Sequence, residues 1–132
     1  MALILDTRFL LAHTFPPTRE DRDKIAKFTA KTLQKEKIAI PSIVAVEYIK
    51  IAGRKIGKTA ATTRLNAWLN YGAEYIPLTK QAAIKAGTLL LAHPNVPTAD
   101  AIIFAIALTL RAKIVSDDPH FDALGAPKIW YK

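Results

Sequence analysis

The chain has 132 residues, of which 51% are hydrophobic and 23% are charged, so we expect one folded domain over residues 1–132 and exclude a disordered chain. It has no cysteine, which excludes disulfides and cysteine-ligated metals, and its longest apolar run, residues 101–110, is too short to cross a bilayer, so we expect a cytoplasmic protein. The formal net charge of +8 favours an anionic partner such as nucleic acid.

Short apolar segments that alternate with longer segments of helical spacing predict the secondary structure. The predicted strands are residues 2–5, 38–40, 74–77, 113–115 and 127–131, the last at an edge. The predicted helices are residues 7–13, 18 or 21 to 35, 41 or 42 to 53 or 57, 59–70, 79–92 and 98–112. Ser42 is the predicted N-cap of the third helix, and the last helix is apolar nearly all round, as expected of a buried helix. This alternation predicts an α/β fold, a three-layer α/β/α sandwich with a parallel sheet of four to five strands.

Carboxylates occur where this fold places ligand sites. Asp6 follows the first strand, Asp117 and Asp118 follow the fourth, and Asp100 lies in the first turn of the buried helix. Because ligands bind at the carboxyl ends of parallel strands, we expect these acids on one rim of the sheet. Glu47 lies about a turn and a half into the third helix, on the boundary between its apolar and basic faces.

Each acid also has an ordinary structural explanation. These are a helix cap for Asp6, the favourable helix dipole for Asp100, an i, i+3 ion pair with Lys50 for Glu47, and a cap of a short helix at Pro119 for Asp117 or Asp118. Together the acids favour function, because clustered carboxylates repel one another unless a cation binds them. Oxygen ligands without cysteine or histidine indicate Mg²⁺ or Mn²⁺, ions that activate water for attack on a phosphodiester.

Four segments resemble the PIN domain, a family of metal-dependent nucleases that includes the VapC-type toxins of toxin–antitoxin pairs. They read "LILDTRFLL", "PSIVAVEYI", "TADAIIFAIAL" and "IVSDDPHF" in chain order and span nearly the whole chain. The resemblance implies that Asp6, Glu47, Asp100 and Asp118 are the catalytic, metal-binding acids, with Ser116 and Thr7 as supporting hydroxyls. It leaves Asp117 as an extra carboxylate in a variable position, beside the metal-binding acids or facing solvent, and it assigns no fixed role to His120, for which a contact with the substrate stays open.

The resemblance also implies an activity and partners. It implies a Mg²⁺- or Mn²⁺-dependent endoribonuclease that leaves a 5′-phosphate, a homodimer, and a VapB-like antitoxin that covers the site. Two alternatives remain open: a PIN-like module that binds RNA without cutting it, and an RNA-processing nuclease that has no antitoxin. A receiver domain is disfavoured because the paired acids come late in the chain, and a Rossmann unit because no glycine-rich loop follows the first strand.

A basic segment follows Glu47 and is the predicted path of the RNA. Between Tyr48 and Ala99 the only acid is Glu74. The predicted RNA-binding residues are Lys50, Arg54, Lys55, Lys58 and Arg64. Contacts from these cations to phosphates should strengthen binding without reading sequence. The alternative is a solvated basic face that only keeps the protein soluble.

Overall fold

A five-stranded sheet, all of whose neighbouring strands are parallel, forms the centre of the computed structural model, which describes residues 2–132. The strands are β1 (Ala2–Leu5), β2 (Lys37–Pro41), β3 (Glu74–Ile76), β4 (Lys113–Val115) and β5 (Lys128–Ile129). Their order across the sheet is β3-β2-β1-β4-β5, so β1 is central and β5 lies at an edge. The predicted fold class and the edge position of the last strand are confirmed.

Seven α-helices accompany these strands in the described residues. They are α1 (Thr7–Thr14), α2 (Arg19–Lys31), α3 (Ser42–Ile56), α4 (Lys58–Asn70), α5 (Lys80–Ala92), α6 (Thr98–Leu110) and α7 (Pro119–Ala123). The side chain of Thr18 caps α2 by accepting a hydrogen bond from the Asp21 amide, and that of Thr79 caps α5 in the same way. None of the helices in residues 2–132 is long and apolar enough to cross a membrane.

Three predicted helix boundaries are wrong. Helix α2 ends at Lys31 rather than at residue 35, because a short 3₁₀ turn follows and buries Leu33. Helix α6 ends two residues early, because Arg111 adopts a left-handed conformation with φ of 52°. Ser42 is not an N-cap: β2 extends to Pro41, whose extended backbone precedes the helix, and Ser42 is the first helical residue.

The core accounts for the apolar composition of α6 and of the central strands. Five consecutive residues of α6, from Ile103 to Ala107, are buried, as are Leu3, Ile4 and Leu5 of β1. The rings of Phe9 and Trp130 meet edge to face at 6.1 Å between centroids. Burial of side chains of this size stabilises the fold by about 1.5–3 kcal/mol each.

The strand order determines where a ligand site can form. From β1 the chain adds β2 and then β3 on one side, and it later adds β4 and β5 on the other side. The strand order therefore reverses between β1 and β4, and parallel sheets open a crevice at the carboxyl ends of such strands. Asp6 directly follows β1, and Ser116 directly follows β4.

Candidate active site

Ser116 joins the ends of the two central strands. Its hydroxyl donates a hydrogen bond of 2.6 Å to Oδ2 of Asp6 and accepts one of 3.0 Å from the backbone amide of Asp118. Ser116 is fully buried, and Asp6 is only 3% exposed. Because both hydrogen bonds use the same hydroxyl, Ser116 fixes the positions of two acids that are 112 residues apart in sequence.

Hydrogen bonds to the side chain and to the backbone carbonyl both hold Asp118 in place. Its Oδ1 accepts a hydrogen bond of 2.9 Å from the His120 amide and so caps α7, as the structural alternative for this residue predicted. Its carbonyl oxygen accepts a bond of 3.3 Å from Nζ of Lys128, which also pairs with Asp122 at 2.8 Å. Capping therefore positions the carboxylate without excluding it from a ligand site.

Asp100 enters the same site from the first turn of α6. It is 8% exposed, and its Oδ2 lies 3.3 Å from Nδ1 of His120, which in turn lies 2.9 Å from Oδ1 of Asp118. Asp100 Oδ2 and His120 Nδ1 are both buried, and the geometry gives neither atom a hydrogen-bond partner. Buried polar atoms without partners are rare in folded proteins, and a bound ion or water is one explanation for them.

Burial and mutual repulsion raise the pKa values of two of these acids. The pKa of Asp6 is raised to about 6, mainly by desolvation; the Ser116 hydrogen bond lowers it, and the charges of Asp118 and Glu47 raise it. Desolvation likewise raises the pKa of Asp100 to about 7, with additional repulsion from Asp118 and Asp6. The cluster is thus unfavourable as a set of free anions, which is the expected property of a cation site.

Glu47 approaches the cluster through Thr7. The Thr7 hydroxyl donates a hydrogen bond of 2.9 Å to Oε1 of Glu47, so the residue after Asp6 orients the acid of α3. The proposed ion pair of Glu47 with Lys50 is not among the ion pairs of the described residues. Glu47 therefore lies on the side of the site rather than on a solvated basic face.

Asp117 points away from the cluster. Its Oδ1 lies 2.7 Å from Nε of Arg8, and the side chains of both residues are substantially exposed. Successive side chains along an extended segment point to opposite sides, so Asp117 leaves the site while Ser116 and Asp118 on either side of it enter. Asp117 thus lies in an exposed ion pair with Arg8, outside the hydrogen bonds that join Asp6, Ser116 and Asp118.

The donor set fits a divalent cation. One ligand atom each of Asp100, Asp118 and His120 lies within 4.8 Å of the others. Ligands of one Mg²⁺ lie at most about 4.2 Å apart, so a small movement of the side chains would close the site. The unpartnered Asp100 oxygen faces this space, which is the observation that supports a cation there.

The basic residues predicted to bind RNA are all on the surface, and two of them line grooves or cavities. All five are exposed, but only Lys55 lines the groove that borders Asp117 and Arg8. Arg64 lines a different cavity, with His13 and Trp68. The groove that Lys55 lines also contains Lys132. Lys132 lies 77 residues after Lys55 in the chain, and no sequence pattern predicted that the two would share a groove.

Two site residues were missed or given no role by sequence reasoning. His120 contacts two acids of the cluster, and Lys128 holds the backbone of Asp118. The only signal for His120 was its place two residues after Asp118, in the first turn of a helix that begins with proline. Lys128 belongs to β5, and nothing local connects it with the acids.

Comparisons with known proteins agree with this architecture. The pattern that defines the PIN domain family matches residues 3–127. Among curated proteins, none matches the sequence. VapC20 of Mycobacterium tuberculosis, a sarcin-ricin loop cleaving toxin, has a similar structure, with a TM-score of 0.81 and 18% identity over 96% of this chain and 98% of its own.

Two toxin–antitoxin structures are also similar. One is VapBC2 of Rickettsia felis bound to a DNA fragment from its promoter, with a TM-score of 0.74 and 18% identity over 98% of each chain. The other is FitAcB of Neisseria gonorrhoeae, with a TM-score of 0.75 and 17% identity over 96% of each chain. At these identities the likeness concerns the fold alone.

Proposed function

The chain belongs to the PIN domain family, and from that premise we propose that it is a Mg²⁺- or Mn²⁺-dependent endoribonuclease with one nuclease domain over residues 1–132. The proposed metal-binding and catalytic acids are Asp6, Glu47, Asp100 and Asp118. The observation that carries the proposal is the convergence of Asp6, Asp100 and Asp118 around a buried carboxylate oxygen that has no partner. A protein of net charge +8 gathers anions there at an energetic cost, which a bound cation would offset.

The neighbouring side chains have supporting roles in this proposal. A divalent ion, when bound, neutralises the cluster, activates water and stabilises charge that develops on a phosphodiester. Ser116 holds one carboxylate oxygen of Asp6, and Thr7 holds one of Glu47, so each hydroxyl leaves the second oxygen of its acid available. Lys128 fixes the backbone of Asp118. These bonds limit the movement of the acids, as a preorganised metal site requires.

We infer that the RNA chain leaves the acids through the groove beside Asp117. This groove has a volume of about 340 Å³ and contains three cations and three aromatic rings. The cations are Arg8, Lys55 and Lys132, and the rings are Phe15, Trp130 and Tyr131. Cations that bind phosphates beside rings that stack with bases are typical of sites for single-stranded nucleic acid.

The Asp118→Asn variant tests the nuclease function. It keeps the shape of the side chain and removes one anionic ligand, so we expect cleavage of single-stranded RNA to fall by about 100-fold or more while circular dichroism stays unchanged. Asp23→Asn, on the exposed surface of α2, is the matched control and should cleave like the wild type. Wild-type cleavage by Asp118→Asn, or full activity of the wild type in EDTA, would contradict the proposal.

RNA binding by the Asp118→Asn protein tests the groove. Lys55→Gln in that background should weaken the binding of any single-stranded RNA and reduce the slope of log affinity against log salt by about 0.7, the value for one phosphate contact. Lys85→Gln on α5 removes an exposed cation that does not line the groove, and it should change less. Equal affinities for the two variants would exclude Lys55 from the RNA path. Metal-independent RNA binding by a wild type that never cleaves RNA would identify a binding module instead.

We also propose that the protein is the toxin of a toxin–antitoxin pair and forms a homodimer. The similarity to the VapBC and FitAcB structures supports a small antitoxin as partner. Growth arrest on expression of the wild type, with relief by a co-expressed product of an adjacent small open reading frame, would be the expected result. Growth arrest by the Asp118→Asn variant would show that toxicity does not depend on cleavage. An absence of growth arrest would favour a role in RNA processing without an antitoxin.

A further inference from the structure

We propose that His120 supplies a nitrogen ligand, through Nδ1, to the ion held by Asp100 and Asp118, and that the site therefore prefers Mn²⁺ to Mg²⁺. The inference rests on the proposed metal site, and it goes beyond the set of four acids implied by the family resemblance. That set contains oxygen ligands only.

The first argument is where the ring nitrogen points. Nδ1 of His120 is 2.9 Å from Oδ1 of Asp118 and 3.3 Å from Oδ2 of Asp100, and the three atoms could share one ion. Nδ1 and the Asp100 oxygen are both buried, and neither has a hydrogen-bond partner. The Asp100 side chain is only 11% exposed. Two ligand atoms that make no hydrogen bond thus lie 3.3 Å apart, on different helices.

The second argument is that the fold holds the ring in place. Helix α7 begins at Pro119, and the His120 amide donates a hydrogen bond to the Asp118 carboxylate. The backbone and the ring of His120 therefore contact the same carboxylate. Phe121, the next residue, is fully buried and anchors the helix to the core. The His120 side chain is 44% exposed even though its Nδ1 is buried, so only the inner edge of the ring enters the site.

The chemistry of the ligand determines the preferred ion. Mg²⁺ is a hard cation that takes oxygen ligands and retains water, whereas imidazole nitrogen is a ligand of transition-metal ions. One nitrogen beside two carboxylates should therefore strengthen the binding of Mn²⁺ more than that of Mg²⁺.

A competing role for His120 predicts the opposite sign. A protonated imidazole between the carboxylates would act as an internal cation that occupies the place of the metal. Removal of the ring would then raise metal affinity, because the ion would no longer compete with a fixed positive charge. If His120 is instead a metal ligand, removal of its ring would lower metal affinity. The direction of the change separates the two roles.

Isothermal titration calorimetry of the EDTA-stripped full chain, with Mn²⁺ and with Mg²⁺, distinguishes the two roles of His120. His120→Gln removes the imidazole and keeps a polar side chain of similar length. We expect Mn²⁺ affinity to fall by about tenfold or more and Mg²⁺ affinity to fall by a smaller factor. The control His93→Gln changes a histidine outside the cluster and should leave both affinities unchanged. Unchanged or higher Mn²⁺ affinity of His120→Gln would overturn the inference.

Pulsed electron paramagnetic resonance of the Mn²⁺-loaded protein gives an independent readout. Wild type should show modulation from a directly coordinated nitrogen, and His120→Gln should lose it. A wild type without this signal would overturn the role of His120 and leave the acidic metal site intact. A wild type that binds neither ion would overturn the metal site itself, and this inference with it.

Discussion

Asp100→Asn is expected to stabilise the metal-free protein, although it removes a proposed metal ligand. Burial, with repulsion from Asp118 and Asp6, raises the pKa of Asp100 from 3.8 to about 7 in the folded chain. Its Oδ2 has no hydrogen-bond partner. The metal-free folded state therefore holds this carboxylate at a cost, and asparagine removes the charge while nearly preserving the shape.

The size and the pH window of the effect follow from this shift. A pKa raised on folding lowers stability as pH rises, because the unfolded chain ionises first. Well below pH 3.8 Asp100 is protonated in both states and contributes nothing, and above about pH 7 the cost levels off at no more than about 4 kcal/mol. The buried amide of asparagine offsets part of the gain, so we expect about 2–4 kcal/mol of stabilisation near pH 8 and less than half of that near pH 5.

Urea unfolding in EDTA at both pH values measures this difference. Asp117→Asn is the matched control, since its exposed ion pair with Arg8 should contribute less than about 1 kcal/mol at either pH. Saturating Mn²⁺ should reverse the order of wild type and Asp100→Asn, because binding stabilises only a protein that retains its ligands. The reasoning would be refuted by an Asp100→Asn protein that is less stable than wild type in EDTA near pH 8, or by a difference independent of pH.

Three further predictions concern other parts of the molecule. Asp21→Asn should lower the melting temperature near neutral pH, because hydrogen bonds from Thr18 and Tyr131 lower the Asp21 pKa to about 2. The stability that the Asp21 carboxylate contributes should disappear as the pH falls from 3.8 to about 2. An equal loss of melting temperature at all pH values would contradict this prediction. Thr7→Val should reduce cleavage by about tenfold without lowering metal-free stability by more than about 1 kcal/mol, since only the orientation of Glu47 is lost; unchanged kcat and KM would exclude this role. Light scattering should show a dimer that becomes a monomer when the exposed Ile84 and Leu91 of α5 are both changed to lysine, and a monomeric wild type would refute the homodimer.

The surface for such a dimer could not be identified from the sequence. Three large aromatic residues, Trp68, Trp130 and Tyr131, are partly buried and pack against the core, so they do not form a free apolar surface. The large apolar side chains left in solvent include Ile84 and Leu91, which are seven residues apart on one face of α5. Helical spacing shows that a stripe exists, but only packing shows whether a neighbouring element covers it.

Physical reasoning from the sequence could not choose between Asp117 and Asp118, because both are acids that follow a strand. Family resemblance favoured Asp118, and the structure shows why Asp118 rather than Asp117 lies on the side of Ser116. Ser116 and Asp118 lie on the same side of an extended segment, and Asp117 points to the other side, where it meets Arg8. The pairing of Asp117 with a residue 109 positions earlier depends on the adjacency of β1 and β4.

The amino-acid sequence was enough to predict the fold class, most element boundaries within two residues, and the rim where the acids after β1, in α6 and after β4 meet. These features depend on local spacing: apolar periodicity, caps, and the position of an acid directly after a strand. Three features became visible only in the folded chain: Ser116 bridges two strand ends, His120 faces Asp100, and Arg8, Lys55 and Lys132 share one groove. Each of these contacts joins segments far apart in the chain or depends on the direction of a single side chain, and local spacing contains no information about either.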